Sequence, residues 1–311
     1  MFTASIMGNA SLMPFLNVLR WFLAPGYAQG VFWFIMIGVV SLSNDVIMRF
    51  LGYRLPVLEV AFFRFLFSMV SLIPFLLWRG RHYFYTKNPK LHVLRAVLGI
   101  GALGAWAYSV SLMPLSENTV IMSAEPLFFM PFAVLFLKER VDRARWLATS
   151  IGFIGILVIV QPGTMAFRAV ALIPVASAVL FALLDIVAKK MVSKEHTITM
   201  LFYFSLGTTL AGLIPLPFIV WETPQLGELG LLFLLGIGAN LIQVCLFCAF
   251  SATEASALMP FRYVEFIFSA LLGFLLFHEI PTLTTLLGTG LIIVGTFYIS
   301  YVETRKEMAR G

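Results

Sequence analysis

Ten long apolar stretches, separated by short polar breaks, dominate the hydropathy pattern of this chain. They run over residues 28–48, 56–78, 92–112, 117–137, 145–161, 169–188, 198–220, 228–251, 256–277 and 283–302. Each is close to the ~20 residues that an α-helix needs to cross about 30 Å of hydrocarbon. Because lipid offers no water to free backbone groups, such stretches are expected to be helical, and the alternation of a β-barrel is absent. The pattern predicts an all-α integral membrane protein with ten transmembrane helices.

The composition supports this class and excludes most soluble ones. Hydrophobic residues make up 60% of the chain and charged residues 12%, against about 25% charged in average proteins. The formal charge of +6 comes mainly from basic residues in loops, so it does not indicate a nucleic-acid partner, and membrane lipid is the expected surrounding. Cys245 and Cys248 lie in an apolar stretch without a second cysteine pair, so no metal site is expected. No HExxH, P-loop or GxSxG motif is present, and we predict neither an enzyme nor a cofactor.

Basic residues are unevenly distributed between alternate loops. With a cytoplasmic N-terminus, sixteen Lys and Arg, Arg95 and Arg145 among them, would lie on the inside, and Arg49, Arg54 and Arg168 on the outside. Such an excess is typical of cytoplasmic segments. We therefore expect both termini in the cytoplasm.

The segment before the first span, residues 1–27, has no basic region ahead of its apolar part. It is interpreted as an interfacial lead-in rather than a cleaved signal peptide, with Met7 or Met13 as alternative starts.

A shift of 140 residues aligns unusual features of the two halves. The matching pairs are Asp45 with Asp185, Arg49 with Lys189, Glu125 with Glu265, Glu139 with Glu279, and Gly155 with Gly295. Each half holds five predicted helices, an odd number, so the second half would be inserted in the opposite sense, as in many secondary transporters. The predicted units are the lead-in (1–27), two inverted five-helix repeats (28–162 and 168–302) and a cytoplasmic tail (303–311).

Three charged residues lie deep inside apolar spans. Glu125 and Glu265 occupy equivalent places in the fourth and ninth spans, and Arg262 precedes Glu265 by three residues. A charge at the membrane centre costs about 2.5–3.5 kcal/mol on insertion scales, so such groups usually face a cavity or a partner. The residues predict a polar site at the midplane. The alternative is that Arg262 only neutralises a glutamate, with Glu265 on its own helix face as the nearest.

A second group of polar residues has two interpretations. Asp45 and Asp185 each precede a base by four residues, so they would either form stabilising pairs with Arg49 and Lys189 or act as gates. Asn44 is placed to hydrogen-bond the first of these pairs.

Two charges in the second span need partners of their own. Glu59 lies near the outer end of that span and is expected to reach water. Arg64 lies deeper and needs a partner across a helix gap, for which Asp45 is the candidate. Both are further candidates for the site or a gate.

The chain resembles the drug/metabolite transporter superfamily over residues 30–302. A Glu at the end of a helix, followed by a helix with spaced glycines, appears twice. The strings are Leu137-Lys138-Glu139 with Gly152 and Gly155, and Phe277-His278-Glu279 with Gly290 and Gly295. The resemblance implies a ten-helix transporter with two halves that rock about a central site.

A narrower resemblance is to the S-adenosylmethionine uptake transporters of obligate intracellular bacteria. The strings that carry it are Ser43-Asn44-Asp45-Val46, Leu51-Gly52-Tyr53-Arg54-Leu55, Glu59-Val60-Ala61-Phe62-Phe63-Arg64-Phe65, Leu184-Asp185-Ile186, Met200-Leu201-Phe202-Tyr203 and Arg262-Tyr263-Val264-Glu265. It implies a secondary transporter of the bacterial inner membrane that imports S-adenosylmethionine, in one version by exchange with S-adenosylhomocysteine. Amino acids or another cationic metabolite are the alternative cargo, and a membrane lipid transferase is the alternative class.

S-adenosylmethionine requires three kinds of contact. Glu125 and Glu265 would face its sulfonium or ammonium, and Arg262 or Arg64 would bind its carboxylate. Ring faces for the cation and the adenine would come from four aromatic residues. These are Trp106, Tyr108, Phe128 and Tyr263.

Overall fold

The computed structural model describes residues 25–80, 84–112, 115–160, 169–214, 220–277 and 283–309. The lead-in through residue 24, Arg168 and Glu279 lie outside the described residues, and so does the side chain of Arg49.

Every regular element within these ranges is helical. The helices are α1 (Tyr27–Leu51), α2 (Val57–Arg79), α3 (Pro89–Leu112), α4 (Leu115–Met122), α5 (Glu125–Phe132), α6 (Arg143–Val160), α7 (Leu172–Val192), α8 (Thr197–Gly212), α9 (Leu226–Ala252), α10 (Ala255–Leu258), α11 (Val264–Phe277) and α12 (Leu283–Met308). A π-helical turn, Ala133–Leu137, continues α5, a 3₁₀ turn, Ala169–Ala171, precedes α7, and another, Met259–Tyr263, joins α10 to α11. The prediction of an all-helical chain is confirmed for the described residues.

Six helical segments in the described ranges are long and apolar enough to cross a membrane, by length and composition. They are Tyr27–Met48, Leu58–Trp78, Asn118–Leu137, Leu172–Val192, Leu226–Ala252 and Leu283–Met308. The seventh predicted span, 198–220, contains the shorter α8, which ends three residues before Pro215 because proline disfavours helix in the residue ahead of it.

The fourth and ninth spans are interrupted helices rather than continuous ones. The α4 helix stops at Met122 and α5 starts at Glu125, since Pro126 has no N–H to donate to the carbonyl four residues back. In the ninth span the 3₁₀ turn contains Pro260 and separates α10 from α11. Both interruptions adjoin the paired glutamates, Glu125 and Glu265. Their signal in the sequence is the proline, Pro126 or Pro260, because the hydropathy of the apolar run is continuous.

Helices of the two sequence repeats interleave instead of forming separate bundles. The α6 helix packs along α12, α1 along α9, α3 along α7, and α2 against α8 and α9. At the α6–α12 contact, Gly155 and Gly288 each face the other's backbone carbonyl, leaving no room for a side chain.

A buried polar cluster joins α2 to α8 and α9. Ser68 Oγ lies 2.7 Å from Ser205 Oγ and donates to Asn240 Oδ1 at 2.8 Å. Asn240 Nδ2 donates back to Ser68 O at 2.8 Å and to Ser71 Oγ at 2.9 Å. Such bonds hold helices together where lipid supplies no competing water.

Near the start of α6, Arg145 forms the centre of an ion-pair cluster with Glu254, Glu303 and Ser256, here called the Arg145 cluster. Its guanidinium lies 2.6 Å from Glu254 Oε2, 3.0 Å from Glu303 Oε1 and 2.8 Å from Ser256 Oγ. Glu139 accepts the Ser256 N–H at 2.8 Å. Arg145, counted among the basic residues of the inner side, is 4% exposed and is neutralised by these carboxylates.

Candidate functional site

Arg262 lies between two acids from different helices. Its Nη2 donates to Glu125 Oε2 at 2.9 Å, and its Nη1 donates to Asp185 Oδ2 at 3.2 Å. The 3₁₀ turn before α11 presents Arg262, the interruption before α5 presents Glu125, and α7 presents Asp185. The bond to Glu125 therefore connects the two sequence repeats, and the bond to Asp185 lies within the second repeat.

Of the two interpretations of Asp185, the stabilising pair with Lys189 is wrong. Lys189 Nζ donates instead to the backbone carbonyls of Phe250 and Thr253, the latter at 2.6 Å. Because α9 ends at these carbonyls, they lack helical partners and attract the ammonium group. Asp185 is thereby left for Arg262.

Two cavities meet at Arg262 and Glu265, which line both. The first, here the central cavity, has a volume of about 330 Å³, and the second, here the acidic cavity, about 420 Å³. The central cavity is lined among others by Gly38, Ser41, Arg64, Asp185 and Gln243. The acidic cavity is lined among others by Asp45, Trp106, Glu125, Tyr263 and Phe266.

The two cavities differ in charge. The acidic cavity has three carboxylates, on Asp45, Glu125 and Glu265, and one cation on Arg262. The central cavity has two carboxylates, on Asp185 and Glu265, and two cations, on Arg64 and Arg262. The acidic cavity therefore favours a positively charged ligand, and the central cavity is balanced.

Several buried polar atoms at this site have no hydrogen-bond partner among the described residues. They are Glu125 Oε1, the Tyr263 hydroxyl and Arg64 Nε. An unmade bond in a buried group costs about 1–3 kcal/mol. Hydrogen bonds from a polar ligand to these atoms would therefore contribute most to its binding.

Glu265 has one hydrogen-bond partner in α1. The Ser41 side chain bonds its carboxylate, and a Cβ added at Gly38 would lie 3.6 Å from the Glu265 Cβ. The α1 and α11 helices thus approach closely at the glutamate that both cavities share.

The four aromatic candidates separate into two groups. Trp106 and Tyr263 line the acidic cavity, as expected. Tyr108 is 59% exposed, because two residues beyond Trp106 a helix has turned by about 200°. Phe128 packs against the apolar core beside α5. Tyr108 and Phe128 are not among the residues that line either cavity, so the expectation of four ring faces at the site is wrong for these two.

Asp45, the predicted partner of Arg64, lies near enough to attract it, but no direct ion pair joins the two side chains among the described residues. Arg64 is attracted to Asp45 across the α1–α2 gap and makes a long contact, 3.8 Å, to Met48 Sδ. Asn44 packs on Gly238, and its Nδ2 has no hydrogen-bond partner among the described residues, so the predicted bond to Asp45 is not formed.

Glu59 does not reach water. Its side chain is 0% exposed, and its Oε2 accepts the backbone N–H of Glu222 at 3.1 Å. The expectation of a solvated carboxylate is wrong because the segment ahead of α9 covers this end of α2.

Arg95, counted in the sequence among the basic residues of the inner side, lies beside the site. It is 2% exposed, donates to Met200 O at 3.1 Å and to Gln243 Oε1 at 2.9 Å, and is attracted to Asp185. The Phe204 ring lies 4.3 Å from its guanidinium carbon. The available signal was His92, three residues earlier and also buried, which places two polar side chains on one helix face.

Comparison with known proteins gives a family match in both halves. The pattern of the EamA-like transporter family matches residues 28–161 and again 168–301. An S-adenosylmethionine uptake transporter of Rickettsia bellii is 40% identical over 284 residues, covering 91% of this chain and 97% of that protein. A riboflavin transporter of Vibrio cholerae is 28% identical over 285 residues, covering 90% and 95%. One solved crystal structure, 17% identical, has a TM-score of 0.77 over 91% of this chain and all of the other, which shows a common fold.

Proposed function

Since this chain belongs to the EamA-like transporter family, we propose that it imports S-adenosylmethionine across the inner membrane of a bacterium. The resemblance stated from the residues is confirmed, and the chain is a multi-pass membrane transporter rather than an enzyme. The observation that carries the choice of cargo is 40% identity, over nearly the whole length of both chains, to the Rickettsia bellii protein.

The acidic cavity supports this cargo chemically. S-adenosylmethionine carries a permanent sulfonium charge, and three carboxylates around the cavity attract cations. The rings of Trp106 and Tyr263 line the same space, and a ring face under a cation is worth about 0.5–2 kcal/mol. Both cavity volumes, about 330 and 420 Å³, lie in the range of about 300–1,000 Å³ usual for small-molecule sites.

The proposed mechanism is alternating access in a ten-helix protein built from two inverted repeats. Family matches over 28–161 and 168–301 support the duplication, and interrupted helices beside Glu125 and Glu265 are typical of transporters with a midplane site. The excess of basic residues in alternate loops supports cytoplasmic termini. Because the repeats interleave, each moving body would contain helices of both.

Exchange with S-adenosylhomocysteine would use the membrane potential. The imported molecule has one more positive charge than the exported one, since demethylation removes the sulfonium. Moving one charge inward gains about 2.3 kcal/mol per 100 mV, which corresponds to about a fiftyfold accumulation ratio. No coupling ion is needed in this scheme.

Uptake of labelled S-adenosylmethionine by a bacterium that cannot otherwise import it tests the proposal. Expression of this chain should produce accumulation that unlabelled S-adenosylmethionine and S-adenosylhomocysteine both reduce. In vesicles preloaded with S-adenosylhomocysteine, an inside-negative potassium diffusion potential should increase the initial rate. Accumulation of labelled lysine in place of S-adenosylmethionine would instead support the alternative, a carrier of other cationic metabolites.

A further inference from the structure

The ion pair between Arg262 and Glu125 is accessible from the acidic cavity. Both side chains line that cavity, and about a third of the Arg262 side chain, 32%, remains exposed. The bond joins Nη2 to Oε2 at 2.9 Å, with no other cation bonded to Glu125 among the described residues. A ligand in the cavity can therefore reach both members of the pair.

Each member of the pair retains unused bonding capacity. A guanidinium has five N–H donors, and Arg262 uses one toward Glu125 and one toward Asp185. Glu125 is 6% exposed, and its Oε1 has no hydrogen-bond partner among the described residues. The site thus presents free donors beside a free, buried acceptor.

This arrangement matches the charged end of an α-amino acid. In such a molecule the ammonium nitrogen and the carboxyl carbon are separated by about 2.5 Å, fixed by the bonds around Cα. Arg262 and Glu125 present the opposite charges side by side, and their direct bond of 2.9 Å must lengthen for both groups of the ligand to bind. The carboxylate would bind Arg262 through two parallel N–H donors, and the ammonium would bind Glu125 Oε1.

Asp185 keeps the guanidinium in position during this replacement. It accepts from Nη1 at 3.2 Å, a different nitrogen from the one bonded to Glu125, and it lines the central cavity. Arg95 in turn attracts Asp185, and Arg95 is fixed by Met200 O and Gln243. Arg262 can therefore exchange one carboxylate for another without losing its second partner.

We infer that the α-amino-acid end of the substrate binds between Arg262 and Glu125, replaces their direct ion pair, and makes the transporter selective for ligands with both an ammonium and a carboxylate. The inference rests on the proposed function for the identity of the whole molecule. It adds which end of that molecule is recognised, and by which residues.

Cavity charge alone predicts the opposite selectivity. The acidic cavity holds three carboxylates against one guanidinium, so a doubly positive ligand would be attracted more than a singly positive one. Decarboxylated S-adenosylmethionine is such a ligand, since it has the sulfonium and the ammonium but lacks the carboxylate. If the inference is right, this ligand offers Arg262 no carboxylate and binds more weakly than S-adenosylmethionine.

The test compares matched ligands with and without the carboxylate on the purified full-length protein, by thermal unfolding and by competition against labelled S-adenosylmethionine. The pairs are S-adenosylmethionine with its decarboxylated form, and lysine with cadaverine. We expect the decarboxylated form to compete at least tenfold more weakly. Equal or stronger competition by it overturns the inference while leaving the proposed function intact.

The second ligand pair separates the two hypotheses further. Stabilisation by lysine and not by cadaverine, without any effect of S-adenosylmethionine, would support the inference and refute the proposed cargo. The inference fails if neither S-adenosylmethionine nor lysine stabilises the protein. It also fails if decarboxylated S-adenosylmethionine and cadaverine stabilise the protein as well as their carboxylated counterparts do.

The Glu125→Gln variant provides a check that keeps Arg262 paired with Asp185. It should bind S-adenosylmethionine at least tenfold more weakly, because the ammonium loses its anionic partner. The matched control is Glu222→Gln, whose carboxylate is half exposed and 3.9 Å from Arg54, outside both cavities. Unchanged binding by Glu125→Gln, in protein that unfolds at the wild-type temperature, contradicts the inference.

Discussion

Replacing Glu265 with glutamine tests whether the carboxylate shared by both cavities serves the substrate. The amide has nearly the same shape and can keep the hydrogen bond with Ser41, so the fold should survive. What is removed is one negative charge. A substrate cation passing between the cavities would then lose the acid that lines both of them.

The size of the effect follows from the electrostatics of the site. Two opposite charges about 4 Å apart attract by about 4 kcal/mol at an effective dielectric constant of ~20. Glu265 is half-buried and its cavities are polar, so a loss of about 2–4 kcal/mol is expected. At about 1.4 kcal/mol per factor of ten, uptake at low substrate concentration should fall about thirtyfold to several hundredfold.

The assay is the initial rate of labelled S-adenosylmethionine uptake, divided by the amount of transporter in the membrane. Glu222→Gln provides a matched control, since it removes a carboxylate near Arg54 and away from the cavities. Its rate should stay within about twofold of wild type. A Glu265→Gln protein that is inserted normally and transports at a near-normal rate would refute the role given to this side chain.

Three further predictions concern stability, measured as thermal unfolding of detergent-solubilised protein. Gly155→Ala or Gly288→Ala should lower the free energy of unfolding by about 1–3 kcal/mol, because the added methyl meets a backbone carbonyl of the partner helix. Gly290→Ala is the control: a methyl there meets nothing within 4 Å, so the free energy of unfolding should stay the same or rise slightly. Lys138 has a φ of 58°, in the left-handed region that is unfavourable for any residue with a Cβ. Lys138→Gly should therefore raise the free energy of unfolding by up to about 1 kcal/mol, and Lys138→Ala, which keeps the Cβ, should not raise it. Asn240→Ala should cost about 1–2 kcal/mol through loss of three hydrogen bonds with α2, and an unchanged unfolding temperature would show that the polar cluster contributes little.

The helices and the central acids could be anticipated from the sequence because both depend on local physics. Apolar runs near 20 residues become helices in lipid, and an acid such as Glu125 within such a run must face a cavity or partner. The structure brings Glu265, Arg262 and Asp185 to the walls of two adjoining cavities.

What could not be anticipated depends on contacts between distant segments. The partners of Lys189 are two carbonyls at the end of α9, 61 and 64 residues further along the chain. Arg145 and Arg95 are buried only because helices from the other repeat cover them. The error at Tyr108 has a simpler cause: two residues along a helix turn a side chain by about 200°, so Tyr108 and Trp106 cannot share a face.

The interleaving of the repeats has a consequence for ancestry. Because α1, α2, α3 and α6 all find their main packing partners in the second repeat, either half alone would expose most of the faces it normally buries. A single-repeat forerunner would therefore have had to assemble from two copies, and gene fusion would then have preserved contacts that already existed. By the same logic, the two halves made as separate polypeptides in one cell should find each other and rebuild the complete carrier, while neither should persist without its counterpart.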